Sequence, residues 1–251
     1  MRSLAALLAV VALAPAGAAA DGPATEASLF GARENLDNGY DDWREAGAQF
    51  LLRLDRDRGG FVRLRGTERY GARDREAAAG VFFPLSPGWT GTVEASGASS
   101  PAFLPEWSAL ATLSRALGDG WVASAGLKRT AYATSDVSGA TATLERYVGA
   151  WRLAWTVFLS RPDGASWSPA NRLAATWYGE GLTRVEAGVA RGRETEFAPG
   201  AGLLTSDVRN ATLSAILGIT PTWGLTLDLE YQRQGDLYTR ETIRLGARVL
   251  Y

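Results

Sequence analysis

Carboxylate side chains are the main candidate catalytic groups in this sequence. The chain has no histidine and no cysteine, which excludes serine–histidine hydrolysis, imidazole metal sites and thiolate ligands. A pair of carboxyl groups could still hydrolyse a glycosidic bond; the candidates are Glu76, Glu94, Glu145, Asp228 and Glu230. Because no motif sets their separation, an acid-pair hydrolase stays an alternative, and we expect no enzyme, no metal and no cofactor.

Basic side chains recur in the same kinds of segment as these acids. They are Arg63, Arg65, Arg69, Lys128, Arg152, Arg172, Arg184, Arg244 and Arg248. If both sets line the lumen of a narrow β-barrel, they form a salt-bridged plug. In a wider barrel they create a transverse field that selects small polar or anionic solutes. The simpler interpretation is that these acids and bases pair with one another and only neutralise the charges of a polar interior.

The segments that carry these charges alternate with a period of two, which is typical of strands with one apolar and one wet face. In the last segment, Thr239 to Tyr251, apolar residues alternate with Arg244, Gly246 and Arg248, and the chain ends on an aromatic residue. Trp151 to Leu159 forms the strongest apolar row. We therefore predict an all-β, antiparallel, up-and-down transmembrane barrel in a bacterial outer membrane.

The first 20 residues have the features of a secretory signal peptide. Arg2 precedes an apolar stretch from Leu4 to Leu13, and Ala18 to Ala20 supplies a small-residue cleavage site. We expect export through the periplasm and one barrel domain over residues 21–251. With 27 acidic and 26 basic residues the net charge is −1, so there is no basic excess for nucleic-acid binding.

Turn residues and tryptophans give the expected orientation. Trp89, Trp121, Trp151 and Trp223 each follow a short turn, where we expect them, with Tyr251, to occupy the periplasmic membrane interface. Longer polar connections are predicted at 96–105, 133–139, 161–169 and 191–207, on the outside. The longest, 191–207, could fold inward as a constriction or outward as a surface epitope.

These boundaries predict about 14 strands. Thr25 to Glu34 supplies the first strand. The alternative is 12 strands, if that segment is irregular and Ala140 to Tyr147 merges with a loop. A periplasmic β-sandwich would also alternate, but it would not repeat tryptophan at one rim.

Several stretches resemble the YaiO family of outer-membrane β-barrel proteins. They are Gly39 to Glu45, Phe103 to Trp107, Leu117 to Trp121, and Arg146 to Gly149 followed by Trp151. Within them, Leu104, Pro105, Glu106 and Trp107 form the most specific motif. This segment could contact a partner or lipopolysaccharide, but Trp107 is more simply a residue of the outer aromatic girdle. The resemblance implies location and fold, and it implies no biochemical activity.

The sequence thus favours a barrel with a polar, charged lumen, either a porin-like pore for small polar solutes or a component of the cell envelope. A non-conducting docking barrel for surface polysaccharide export is the alternative. The expected partners are outer-membrane lipid and lipopolysaccharide, the barrel assembly machinery through the carboxy-terminal strand, and envelope polysaccharide or its export proteins.

Overall fold

The computed structural model describes residues 24–37, 39, 41–69, 71–133, 135–198 and 202–251. The signal peptide predicted at residues 1–20 lies outside this range. Fourteen antiparallel strands form a closed barrel in which each strand pairs with its sequence neighbours and β1 pairs with β14. Closure leaves no unpaired strand edge, which a bilayer requires. The described residues include no helix long and apolar enough to cross a membrane.

The strands are β1 Ala24–Leu36, β2 Trp43–Arg53, β3 Gly59–Arg69, β4 Ala72–Ser86, β5 Trp89–Ala98, β6 Trp107–Gly118, β7 Trp121–Tyr132, β8 Ser135–Val148, β9 Trp151–Pro162, β10 Ser168–Tyr178, β11 Arg184–Ala198, β12 Gly202–Gly218, β13 Trp223–Gln234 and β14 Tyr238–Leu250. The count of 14 is confirmed and the count of 12 is wrong. Residues 25–34 lie in β1, and residues 140–147 lie in the middle of β8 and pair on both sides.

The two rims differ in their connections. One, here the terminal rim, carries both ends of the described chain and the turns 54–58, 87–88, 119–120, 149–150, 179–183 and 219–222. Tight turns there use glycine in the left-handed region, as at Gly118 and Gly120. The opposite rim, here the loop rim, carries the other seven connections, of which 99–106 is the longest.

Two of the longer predicted connections are wrong. Between Tyr132 and Ser135 the chain makes a tight hairpin instead of a loop over 133–139. Most of 191–207 is strand, because β11 and β12 stay paired from Arg191 opposite Arg209 out to Ala198 opposite Gly202. The polar composition of 191–207 suggested a loop, but a strand that projects beyond the hydrocarbon band needs no apolar face.

Side-chain alternation follows the predicted faces. The outer surface exposes rows of large apolar side chains, among them Leu127 at 70% and Leu245 at 61%. The row from Trp151 to Leu159 is on this surface. The alternate residues point inward, where buried charged side chains such as Glu45 and Arg152 lie. Aromatic rings cover inward glycines, as Phe30 does at Gly47, where an added Cβ would come within 2.6 Å of the ring.

Candidate functional site: the charged lumen

The first group of lumen charges lies on β1 to β5 and on β13 and β14. At its centre Glu45, buried at 5% side-chain exposure, lies 3.6 Å from Arg65 and 3.3 Å from Arg244. Arg65 also pairs with Glu76 at 3.0 Å, and its guanidinium donates to both carboxylate oxygens of Glu76. On either side of this chain are Arg63 with Glu94 at 3.0 Å, Asp228 at 4.0 Å from Arg244, and Arg248 with Glu26 at 2.5 Å.

The second group lies on β8 to β11, towards the terminal rim. Arg152 pairs with Glu145 and, at 3.3 Å, with Glu186. Arg172 reaches the other oxygen of Glu186 at 2.7 Å, and the fully buried Thr176 hydroxyl also donates to Glu186. Acids and bases here lie on neighbouring strands and neutralise each other's charge.

An aromatic and arginine cluster fills the lumen at the loop rim. Trp43 is fully buried, with the Arg69 guanidinium 4.2 Å from its ring centroid and that of Arg240 5.9 Å away. Glu34 lies 3.5 Å from Arg69 and 3.3 Å from Arg240, and Arg240 also pairs with Glu230 at 2.9 Å. We call these residues the mouth cluster.

The loop at 99–106 folds onto the mouth cluster. The carboxylate of Asp74, on β4, accepts backbone N–H bonds from Ala102, Phe103 and Leu104, all at 2.8 Å to the nearer oxygen. Leu104 is buried, and the Arg69 guanidinium lies 5.7 Å from the Phe103 ring centroid. The inward-folding loop is therefore 99–106, whereas 191–207 forms a paired hairpin.

The rest of the motif predicted from the sequence lies at the base of this loop. The Glu106 backbone N–H donates to the Ala131 carbonyl, and its carbonyl accepts from Ala98. Pro105 is partly buried between the inserted Leu104 and this anchor. Trp107 begins β6 and is 46% exposed on the outer surface, which agrees with the girdle interpretation.

The wall formed by β5 to β9 has a different chemistry. Small hydroxyl side chains face inward and bond in pairs across neighbouring strands: Ser96 with Ser108, Ser114 with Ser124, and Thr143 with Thr156. We call this the hydroxyl wall. Lys128 lies on it, because its cross-strand neighbours are Leu110 and Gly139, and its side chain is exposed. An inward side chain with this exposure indicates that other side chains do not fill the lumen at this point.

Among the residues that the structure describes, Lys128 and Arg184 are the two predicted lumen cations that make no ion pair within 4 Å. Arg184 begins β11 at the terminal rim, two residues from Glu186. The side chains of Trp121, Trp151 and Trp223 are exposed on the outer surface at the starts of β7, β9 and β13. Trp89 begins β5 and contacts Arg115, while Tyr251 follows β14 and is 77% exposed.

Sequence analysis missed several residues of these clusters: Glu26, Glu34, Trp43, Glu45, Asp74, Glu186 and Arg240. Strand parity could have found most of them. Glu45 and Trp43 continue the inward row of Gly47, Glu186 follows Arg184 by two, and Arg240 precedes Arg244 by four. Asp74 precedes Glu76 by two and so shares its inward face, but no local pattern marks its partners, which are backbone groups of a loop about 30 residues later.

Comparisons with known proteins agree with this architecture. The model of the YaiO membrane beta barrel domain matches residues 25–197, and no curated protein matches the sequence significantly. Among solved structures, the TodX deltaS2S3 mutant monoaromatic hydrocarbon channel has a TM-score of 0.60 at 11% identity, with 92% of this chain and 91% of that chain covered. Salmonella typhi OmpF, in complex with daunomycin, has a TM-score of 0.52 at 9% identity, with 91% and 97% covered. Identities this low show the shared fold alone.

Proposed function

Because this chain belongs to the YaiO membrane beta barrel family and is an outer-membrane β-barrel, we propose that it is a non-enzymatic passage for small polar solutes. The observation that carries the proposal is Lys128, whose position on β7 faces the lumen and whose side chain is nevertheless exposed. A lumen packed solid by side chains would leave no such surface. The hydroxyl wall beside Lys128 offers hydrogen bonds without large side chains, as a polar solute requires.

The charge distribution sets the expected selectivity. Most lumen arginines are neutralised by a carboxylate within 4 Å, as Arg63 is by Glu94. Lys128 has no such partner among the described residues, so its field acts on the aqueous space. A small net preference for anions follows.

Single-channel recording in planar bilayers tests the proposal. The wild-type barrel is expected to give reproducible small steps with a reversal potential on the anion side. Lys128→Glu reverses the local charge and is expected to move the reversal potential towards cations. Arg129→Glu is the matched control, because Arg129 is the next residue, carries the same charge and lies on the outer face beside Asp136 and Asp163.

A second function, a non-conducting docking barrel in surface polysaccharide export, is favoured by one observation. At the loop rim, inward residues from strands around the barrel are buried, including Thr130, Ser168, Gln234 and Tyr238. The mouth cluster and loop 99–106 narrow this end. If wild type and a variant with a released loop both stay silent at high protein load, the passage proposal is wrong and the docking role stands.

A further inference from the structure

Three arginines lie side by side on the outer surface of the barrel near the loop rim. Arg191 on β11 is directly opposite Arg209 on β12, and Arg209 is directly opposite Arg233 on β13. All three side chains are exposed. Directly opposed Cβ atoms in an antiparallel sheet are about 5 Å apart. We call these three residues the arginine row.

Such a row is unfavourable by itself, because like charges directly opposite one another destabilise a sheet. Arg233 pairs with Asp236 at 3.4 Å, and that carboxylate is fully exposed to water. Two further acidic residues lie on the same outward face one step along the strands, Asp207 on β12 and Glu241 on β14. Arg191 and Arg209 make no ion pair with any residue that the structure describes. The flanking positions in the same register are Asn171 and Thr239, which carry no charge.

Other outward arginines near the same rim are arranged differently. Arg33 pairs with Asp42, Arg73 with Glu68 at 3.2 Å, and Arg129 with Asp136 at 2.7 Å. Arg44, Arg75 and Arg161 are also exposed near this rim and make no ion pair among the described residues, but none of them belongs to a run of three directly opposed arginines. The arginine row is distinguished by this register, which concentrates positive charge that is available to an external anion.

The position of the arginine row relative to the membrane indicates which class of anion could bind there. On β13 the outward residues are Trp223, Leu225, Leu227, Leu229 and Tyr231, followed by Arg233. Arg233 follows Trp223 by ten residues. A strand rises about 3.4 Å per residue and tilts by about 40°, so the distance between the two residues along the barrel axis is about 26 Å. The apolar band of such barrels is about 25 Å tall. The guanidinium groups therefore lie where lipid headgroups begin, directly beyond the aromatic ring of Tyr231.

We propose that the arginine row is a binding site for the phosphate groups of a phosphorylated glycolipid in the outer leaflet. Guanidinium groups bind phosphate in bidentate fashion, and three in register offer a continuous donor surface. A bound phosphate removes the repulsion within the row. The inference is independent of whether the lumen conducts.

The test uses the full chain, folded in detergent micelles, with diphosphorylated lipid A, dephosphorylated lipid A and inorganic phosphate as probes. Wild type is expected to bind the diphosphorylated form at least about tenfold more tightly than the dephosphorylated one. Each arginine at a membrane surface contributes a factor of about 5. Replacing all three by glutamine is therefore expected to weaken binding about 100-fold.

The matched control replaces the ion-paired arginines Arg33, Arg73 and Arg129 by glutamine, which removes the same charge from the same rim. This control is expected to weaken binding less than about threefold. Equal losses in the two triple variants would mean that only the overall charge acts, and the proposal would be abandoned. Displacement of lipid A by millimolar inorganic phosphate would identify a free-anion site and refute the lipid assignment.

Both triple variants are first checked for folding by the mobility difference between boiled and unboiled samples. If the row variant does not fold, Arg209→Gln alone replaces it, because Arg209 is the central member and contacts both neighbours in register. The expected loss for the single variant is about fivefold. Unchanged affinity in Arg209→Gln would overturn the proposal.

Discussion

Removal of the Asp74 carboxylate is expected to release loop 99–106 from the barrel mouth. In Asp74→Ala three backbone N–H groups lose their acceptor. A hydrogen bond to a charged group is worth about 1.5–3 kcal/mol, and the freed groups recover part of this when the loop moves into water. We therefore expect the loop conformation inserted in the barrel mouth to be destabilised by about 2–4 kcal/mol relative to the released conformation. This change raises the population of molecules with a released loop about 30-fold to 700-fold.

Limited proteolysis measures this population directly. Chymotrypsin cleavage after Phe103 requires the loop to leave the mouth, because Leu104 is buried beside it. When opening is fast compared with cleavage, the cleavage rate follows the open population. The rate should therefore rise by the same factor in Asp74→Ala, and by less in Asp74→Asn, which keeps one acceptor oxygen.

The control for this prediction is Asp55→Ala, in the turn 54–58 at the opposite rim. Asp55 also accepts a backbone N–H bond, from Asp57 at 2.9 Å, so the variant removes a comparable local contact far from the loop. Its cleavage rate after Phe103 should equal that of wild type. If Asp74→Ala is cleaved there no faster than wild type, the carboxylate does not hold the loop.

Two further predictions concern the lumen and the seam between β1 and β14. Glu45→Gln leaves two arginines without their shared buried carboxylate. The variant should lower the free energy of unfolding, measured by urea titration in lipid vesicles, by about 3 kcal/mol. Glu68→Gln, at an exposed ion pair, should lower it by less than about 1 kcal/mol. At the seam, the Thr239 backbone N–H donates to Asp37 at 2.7 Å and lowers the pKa of that carboxyl below its ordinary 3.8. Its stabilisation is therefore present above pH 3.8 and lost as pH falls through the lowered value. The protection factor for hydrogen exchange at the Thr239 amide should therefore fall over that pH range in wild type and show no such step in Asp37→Asn.

Periodicity was enough to predict the barrel and the face of each charged row. A strand's side-chain period of two is fixed by backbone geometry, so Arg244 and Arg248 had to share the face that Leu245 and Val249 did not. The strand count followed because glycine and proline turns recur at one rim. These features are local in sequence, which is why they could be derived without coordinates.

The clusters themselves could not be predicted in the same way. Whether Glu45 lies between Arg65 and Arg244 depends on the register of four strands in three pairings, including the closing pair of β1 and β14. Hydrogen bonding of Asp74 to a loop in a later hairpin depends on the fold of both segments. The polar extension of β11 over 191–198 has the composition of a loop. A strand segment that lies outside the hydrocarbon band needs no apolar face, so no row of apolar residues identifies it as a strand.

The charged side chains and the hydroxyl wall fill the lumen differently. Replacing a buried ion pair by well-packed apolar residues is often neutral or stabilising. The ion pairs between acids and arginines on β1 to β4, β13 and β14 are therefore weak evidence that the barrel is stable. They do hold large side chains in fixed positions in the lumen, because each side chain is paired with a partner on another strand, as Arg65 is with Glu45 and Glu76. The serine and threonine side chains of the hydroxyl wall are smaller, and the Lys128 side chain beside them is exposed. In the proposed passage, a solute would therefore move along the hydroxyl wall, with the fixed lumen charges orienting it and loop 99–106 limiting its entry.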